Sequence, residues 1–268
     1  MTQWQTEGKH FYQTSPEASG WVLAELDSVL LELMQVGVHS PKVCDYPARF
    51  NWVYRQLNGS NLPFPDHCKA LAEWIVQGHV QSVDLLFVSG YLSNPASTFG
   101  HTLLNVRTGL GAEHRSLEDS INYGALVPPG EGVVPYIFKG LFGGYSAGFS
   151  DGAYSAHMNT YQEKELRAIW RYELDLTKSQ RTDFVYRMAE VVTFKFPYYF
   201  LSENCGWAMG LMISEVSGAK LDISRSPTWF APIELIHLLN DSRNPETNSP
   251  LVKKVYYTAA GQSVLQAR

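Results

Sequence analysis

Cys205 and His101 are the two residues whose types and surroundings best fit nucleophilic chemistry. Cys205 stands in YYFLSENCGWAMGLMISEV (198–216), at the start of an apolar run of helical length. The first turn of a helix has unpaired N–H groups and a dipole that favours an anion, which lowers the pKa of a thiol. The backbone N–H of Cys205 would also face the oxygen of an attacked carbonyl. The alternative is an inert, buried thiol.

A nucleophilic cysteine requires a base, usually a histidine, and the chain has eight histidines. His101 follows the turn in NPASTFGHTLLNV and opens an apolar strand, so its ring can face a helix N-terminus. His157, in AYSAHMNTYQ, is the second candidate. A third polar group normally orients the base. The candidates for this group are Asn122, Tyr123, Asn204 and Glu203. The residue pattern leaves the choice among them open.

The elements that must position these residues follow an α+β pattern. Residues 1–80 are predicted to be a helical N-terminal region packed on the core, because apolar residues recur every three or four positions in 21–36. Residues 81–220 alternate short apolar strands with helices and form the predicted core. Residues 221–268 are a C-terminal extension that completes this domain or leads to another. The pattern predicts an antiparallel sheet and a buried helix that carries Cys205.

Composition excludes several classes of function. The net charge of −5, without a cluster of lysine and arginine, argues against a nucleic-acid binder. No apolar stretch approaches the roughly 20 residues of a membrane span, so we expect no transmembrane span in this chain. The N-terminal MTQWQTEGKHFYQ lacks the apolar region of a signal peptide. Neither zinc-ligand spacing nor a phosphate loop is present, so we expect no metal and no cofactor.

The three cysteines carry information about the cellular compartment. Cys44 and Cys68 flank the segment CDYPARFNWVYRQLNGSNLPFPDHC. A bridge between them would indicate an oxidising compartment and would leave Cys205 as the free thiol. Three reduced, buried cysteines in a cytosolic protein are the alternative, and spacing alone leaves both open.

Five motifs, taken in order, resemble the Lnb N-terminal periplasmic domain family, whose namesake is a bacterial lipoprotein N-acyltransferase. They are PASTFGHTLLNV, INYGAL, IFKGLFGGYSAGFS, RYELDL and YYFLSENC. The order of histidine before cysteine is also similar to that of the circularly permuted papain-like group that includes lecithin:retinol acyltransferase. The resemblance implies a permuted papain-like fold in the periplasm, with Cys205 as nucleophile, His101 as base and Cys44 bridged to Cys68.

The resemblance further implies acyl transfer from a lipid ester through a thioester on Cys205, with an amine or water as acceptor. The substrate would be a phospholipid or lipoprotein acyl group at a membrane surface. The glycine-rich segment 128–152 is predicted to be a long loop, and its aromatic residues could form an apolar wall for an acyl chain. These are Tyr136, Phe138, Phe142, Tyr145 and Phe149. The alternatives are a papain-like peptidase or amidase acting on cell-wall peptide, and a non-catalytic domain that binds lipid or protein.

Overall fold

The computed structural model describes residues 20–63, 67–68, 80–91, 97–108, 119–223 and 229–261, and it has an α+β fold. The helices are α1 (Trp21–Gln35), α2 (Pro41–Asp45), α3 (Pro47–Asn58), α4 (Val133–Phe142), α5 (Tyr154–Met158), α6 (Lys178–Val191), α7 (Cys205–Ser217) and α8 (Pro232–Asn240). The strands are β1 (Val80–Val88), β2 (His101–Thr108), β3 (Asp119–Ala125), β4 (Tyr145–Ala153), β5 (Ile169–Leu174), β6 (Lys195–Tyr198) and β7 (Val252–Thr258). A 3₁₀ turn (Gly37–His39) and a π-helical turn (Asn159–Lys164) complete the elements.

The chain forms two compact units that do not follow its linear order. The first, here the N-terminal unit, comprises Met1–Gly78 and Thr182–Phe196. The second, the sheet unit, comprises His79–Arg181 and Pro197–Arg268. The division of the sequence at residues 80 and 220 remains a prediction.

A seven-stranded sheet organises the fold, in the order β6-β4-β3-β2-β1-β5-β7. The pairings from β4 across to β7 are antiparallel, which confirms the predicted antiparallel sheet. Six consecutive residues of β1, 83–88, are buried. Neighbouring strand residues face opposite sides of a sheet, so burial of all six means that both sides of the sheet are covered at its centre. Strands β2 and β5 pair with β1 on either side, and β2 carries His101.

The N-terminal unit has its own core of buried side chains, which includes Val29, Phe50, Leu62 and Tyr186. The Tyr186 hydroxyl donates a hydrogen bond to the Leu62 carbonyl at 2.9 Å. A disulfide joins Cys44 to Cys68, as the family resemblance implied. Because the bridge closes a loop around α3, it restricts the unfolded chain and stabilises the unit.

The segment 128–164 does not contain the long loop predicted for residues 128–152. It contains helix α4 and strand β4, and AYSAHMNTYQ forms α5 and the π-helical turn. Two of the glycines flank α4: Gly132 precedes the helix, and Gly143 ends it with a left-handed φ of 75°. Others, such as Gly140 in α4 and Gly148 in β4, lie within elements, so glycine content alone did not indicate a loop.

Helix α4 exposes much of its apolar surface. Val134 is 78% exposed and Phe142 is 67% exposed. Gly140, in the last turn of the helix, packs so closely on the Phe200 ring that an added Cβ atom would lie 2.2 Å from it. Among the described helices, α4 included, none combines the length and the apolar character needed to cross a membrane.

Candidate active site

Cys205 is the first residue of helix α7, and Asn204 caps that helix. The side-chain oxygen of Asn204 accepts hydrogen bonds from the backbone N–H groups of Gly206 at 3.0 Å and Trp207 at 3.3 Å. Asparagine is a preferred N-cap because its side chain replaces the missing helical acceptor. Cys205 is 2% exposed and is the free cysteine of the described chain. The thiol therefore lies in the first turn, where the remaining unpaired N–H groups favour a thiolate.

His101 is the first residue of β2, and its Nδ1 atom lies 3.1 Å from Sγ of Cys205. Gly100 makes this position possible. Its φ is +93°, and a Cβ atom there would lie 2.8 Å from the ring of Phe87. Only glycine fits both constraints without displacing the neighbouring strand, so the turn before β2 places the imidazole over the start of α7.

Asn122 holds the other side of the imidazole. Its Oδ1 atom lies 2.7 Å from Nε2 of His101. It can do so because β3 pairs with β2 in the register that sets Asn122 opposite Leu103. An amide oxygen only accepts hydrogen bonds, so Nε2 carries a proton and the neutral ring has its free lone pair on Nδ1. The lone pair thus faces the thiol, as a general base requires.

Electrostatic interactions in the site favour a thiolate paired with an imidazolium. Burial alone would raise the pKa of the Cys205 thiol, but the charge and hydrogen bond of His101 and the backbone N–H of Thr102 lower it to about 7. Burial would lower the pKa of His101, but the Cys205 thiolate and the hydrogen bond to Asn122 raise it. Arg167 acts weakly in the opposite direction on His101. The net effect is a thiol that is ionised near neutral pH.

Sequence reasoning missed two residues that contact Cys205. Thr102 directs its backbone N–H to the sulfur. The backbone N–H of Cys205 donates a hydrogen bond to the phenol oxygen of Tyr198, at the end of β6. Burial raises the pKa of Tyr198, so its phenol stays protonated. Strand β6 has only four residues and was not predicted, but Tyr198 does lie within the YYFLSENC motif.

The other residues proposed to orient or replace the base lie elsewhere in the sheet unit. Asn204 uses its amide as a helix cap and as a donor to the carbonyls of Phe200 and Phe230. The Tyr123 ring packs at 5.8 Å from Tyr198. His157, the second candidate base, hydrogen-bonds through Nδ1 to the Ser120 hydroxyl. Both ring nitrogens of His101 are occupied by Cys205 and Asn122, so of the four candidates for the orienting group Asn122 is the one in that position.

The five aromatic residues predicted to form an apolar wall are divided between three places. Phe138 and Phe142 lie on α4, 63% and 67% exposed, with ring centroids 4.7 Å apart. Tyr136 and Tyr145 pack against Phe200, and Phe149 packs against Tyr123. The role of these five residues in binding an acyl chain remains a prediction.

One group of potential metal ligands occurs in the described part of the chain. The ligating atoms of Cys44, His67 and Cys68 lie within 4.8 Å of one another. Both sulfur atoms belong to the disulfide and are therefore not thiolate ligands. None of these three residues forms part of the site at Cys205.

Comparison with known proteins gives one clear relationship. The profile of the Lnb N-terminal periplasmic domain family matches residues 70–242, a stretch that covers more than half of the chain and contains both His101 and Cys205. No curated protein matches the chain. Among solved structures, the crystal structure of the type VI secretion system effector TseH is 12% identical, with 68% of this chain and 99% of that chain covered and a TM-score of 0.33. Similarity at this level carries no argument about fold or activity.

Proposed function

This chain belongs to the Lnb N-terminal periplasmic domain family, as its motifs predicted, and we propose that it is a thiol enzyme that moves an acyl group from a lipid ester through a thioester on Cys205. One observation carries the proposal. Nδ1 of His101 lies 3.1 Å from the Cys205 sulfur while Asn122 occupies Nε2, so nucleophile, base and orienting group form one hydrogen-bonded line.

In the first half of the reaction the Cys205 thiolate attacks the ester carbonyl carbon. A carbon–sulfur bond forms and the carbonyl electrons move to oxygen. When this intermediate collapses, the ester C–O bond breaks, and His101 transfers its Nδ1 proton to the departing alkoxide. The products are an acyl thioester on Cys205 and a free alcohol.

In the second half, an amine or water attacks the thioester carbonyl. His101, now neutral, takes the proton from the attacking group, and the C–S bond breaks to regenerate the thiolate. An amine acceptor yields an N-acylated product, whereas water yields a free fatty acid. Neither half-reaction as written consumes a cofactor.

The oxyanion of each intermediate would develop beside the backbone N–H of Cys205. That N–H donates to the Tyr198 phenol in the absence of substrate. A protonated phenol at this position can turn its O–H towards the oxyanion, so Tyr198 and the Cys205 N–H together supply two donors. We therefore include Tyr198 in the proposed catalytic site.

We also propose that the sheet unit is a circularly permuted papain-like domain. Its catalytic core would comprise residues 81–181 and 197–220, without the part of 81–220 that belongs to the N-terminal unit, and residues 221–268 would complete it. Two features support this. The strand that begins with His101 precedes the helix that begins with Cys205, and that helix packs against β2 and β3. Strand β7 extends the same sheet beyond β5, and α8 packs on α7.

We place the activity in the periplasm, at a membrane surface, where phospholipid or lipoprotein acyl groups would be the substrates. The family is one of periplasmic domains. The Cys44–Cys68 disulfide supports an oxidising compartment, since structural disulfides are rare in the bacterial cytosol.

The direct test is to trap the thioester. The protein would be incubated with phospholipid vesicles and quenched in acid, and the mass of the Cys205 peptide would be measured. We expect the mass of one fatty acyl group to be added to the Cys205 peptide, and neutral hydroxylamine to remove it. Cys205→Ser should form no such thioester. Adding a peptide with a free N-terminal amine then separates transfer from hydrolysis. Cleavage of muropeptides without an acylated Cys205 would refute acyl transfer in favour of a peptidase.

A further inference from the structure

A small pocket opens directly beside Cys205, and it is not built from the residues predicted to bind an acyl chain. Its lining consists of Phe99, Phe200, Leu201, Asn204, Cys205, Trp229, Phe230, Ala231 and Pro232. The five aromatic residues of segment 136–149 are not among these described lining residues. Four of the nine lining residues are aromatic, and they come from three separate stretches of the chain.

The mouth of the pocket is an exposed aromatic pair. The rings of Phe99 and Trp229 meet edge to face, with centroids 4.9 Å apart. Phe99 is 47% exposed and Trp229 is 38% exposed. Large aromatic side chains left partly in water beside a nucleophile can gain contact with an apolar ligand, because covering them removes apolar surface from water.

The described side chains that line the pocket carry three polar groups, the Cys205 thiol, the Asn204 amide and the indole N–H of Trp229. The Asn204 amide is already used. It donates to two backbone carbonyls, those of Phe200 and Phe230, and accepts from two backbone N–H groups. These side chains therefore offer a polar peptide group little besides the indole N–H of Trp229, whereas a hydrocarbon chain needs no polar partner.

The pocket is also held in shape. The backbone N–H of Phe230 donates to the Leu201 carbonyl at 2.6 Å, which ties the wall that carries Trp229 to the segment before α7. Gly206 lets that wall approach closely, since an added Cβ atom would lie 2.8 Å from the Cα atom of Pro232. A preformed site loses less conformational entropy when a ligand binds.

We infer that Phe99 and Trp229 form the entrance of a subsite that holds the first methylene groups of a linear acyl chain next to the Cys205 sulfur. The inference rests on the proposed acyl transfer, and it names the residues that would select a hydrocarbon chain over a peptide. It assigns this selection to the Phe99–Trp229 pair and not to the exposed phenylalanines of α4.

The test uses a reaction of Cys205 that does not depend on acyl transfer. Methyl and octyl methanethiosulfonate both react with a thiolate, which forms a mixed disulfide and releases methanesulfinate. The rate at Cys205 of the full chain would be followed by mass spectrometry, and the octyl-to-methyl ratio would be divided by the same ratio for glutathione. Each methylene group that leaves water contributes a factor of roughly three to four, so burial of two or more predicts a ratio of at least about ten.

Three variants decide which residues produce the preference. We expect Trp229→Ala and Phe99→Ala to bring the ratio close to one, and Phe142→Ala, a matched exposed aromatic on α4, to leave it unchanged. Trp229→Phe should retain most of it, which separates lost contact from lost folding. A ratio near one in the unmodified protein, a ratio lost in Phe142→Ala instead, or no labelling of native Cys205 by either reagent would overturn the inference. If the ratio behaves as expected but no thioester forms from lipid esters, the subsite stands and the proposed acyl transfer does not.

Discussion

Oδ1 of Asn122 and Nε2 of His101 are 2.7 Å apart, and the opposite nitrogen of the ring faces Cys205. This contact selects the tautomer of the base. Because the amide oxygen requires a donor, the proton of the neutral ring is kept on Nε2 and the lone pair on Nδ1 is directed at the thiol. When the ring is charged, the same oxygen stabilises the imidazolium. Asn122 thus contributes in both protonation states without contacting the sulfur itself.

Replacing Asn122 should change the pH dependence of thiol reactivity. In the unmodified protein the lowered pKa of Cys205 predicts that the rate of iodoacetamide labelling rises with pH through about 7. Asn122→Ala removes a contact that raises the pKa of His101, so the imidazolium is lost at lower pH and stabilises the thiolate less. The labelling midpoint should then move up, towards the value of about 8.5 for a free cysteine. Asn122→Asp should move it down, because a carboxylate stabilises the imidazolium more strongly. Equal midpoints in all three proteins would show that Asn122 does not orient the base.

Cys205 and His101 should behave as one catalytic unit. Cys205→Ala should abolish turnover of a lipid ester, and His101→Ala should lower kcat by about 10²–10⁴-fold, as expected for loss of a general base. The double variant should be no worse than Cys205→Ala alone, because groups that act together are not additive.

His157→Ala is the matched histidine control for this experiment. Its imidazole bonds to Ser120, so turnover should stay close to that of the unmodified protein. A double variant much less active than either single variant, or equal losses at His101 and His157, would contradict the pairing of His101 with Cys205.

Tyr198→Phe tests the proposed oxyanion donor. Loss of one such donor typically costs about 10²–10³ in kcat, and we expect a loss of this order with little change in KM. The labelling midpoint of Cys205 should hardly move, because the imidazolium and Thr102 remain. Tyr123→Phe is the control, since that buried ring lies 5.8 Å from Tyr198. Similar losses in the two variants would indicate a packing role for both tyrosines.

Removing the disulfide should affect stability and not chemistry. Cys44→Ser combined with Cys68→Ser should lower the free energy of unfolding by about 2–5 kcal/mol, because the unfolded chain is no longer constrained. Denaturant unfolding measures this, with Cys205→Ser as the control that keeps the bridge. The rate of Cys205 labelling in the folded protein should be unchanged. An unfolding midpoint equal to that of the control would mean that the bridge contributes nothing to stability.

Local patterns were sufficient to predict the positions of His101 and Cys205. Each stands at the first residue of an element, after a glycine turn in one case and an N-cap asparagine in the other. That Asn122, and not another candidate, contacts His101 depends on strand register, which pairs Asn122 with Leu103. Register is set by tertiary packing, so composition and periodicity left the choice open.

The missed residues give no periodic signal. Tyr198, which contacts the backbone N–H of Cys205, lies on a four-residue strand that is too short to give one, and Trp229 lies 24 residues after Cys205. The composition of segment 136–149 predicted an aromatic wall for an acyl chain. Which aromatic residues surround the sulfur, however, is decided by the loops that converge on the start of α7.

The N-terminal unit draws its residues from both sides of the chain that forms the sheet. Tyr186 and Asp183, which follow β5, bond to Leu62 and Arg55, which precede β1. A chain cut at His79 would keep Tyr186 and Asp183 but lose both partners, and apolar side chains of the core would be left in water. The packing of helices α1 to α3 therefore depends on residues 182–196. The gene segments for residues 1–78 and 182–196 lie more than a hundred codons apart, yet they encode one core. An insertion, deletion or domain exchange that separates them would disrupt that core.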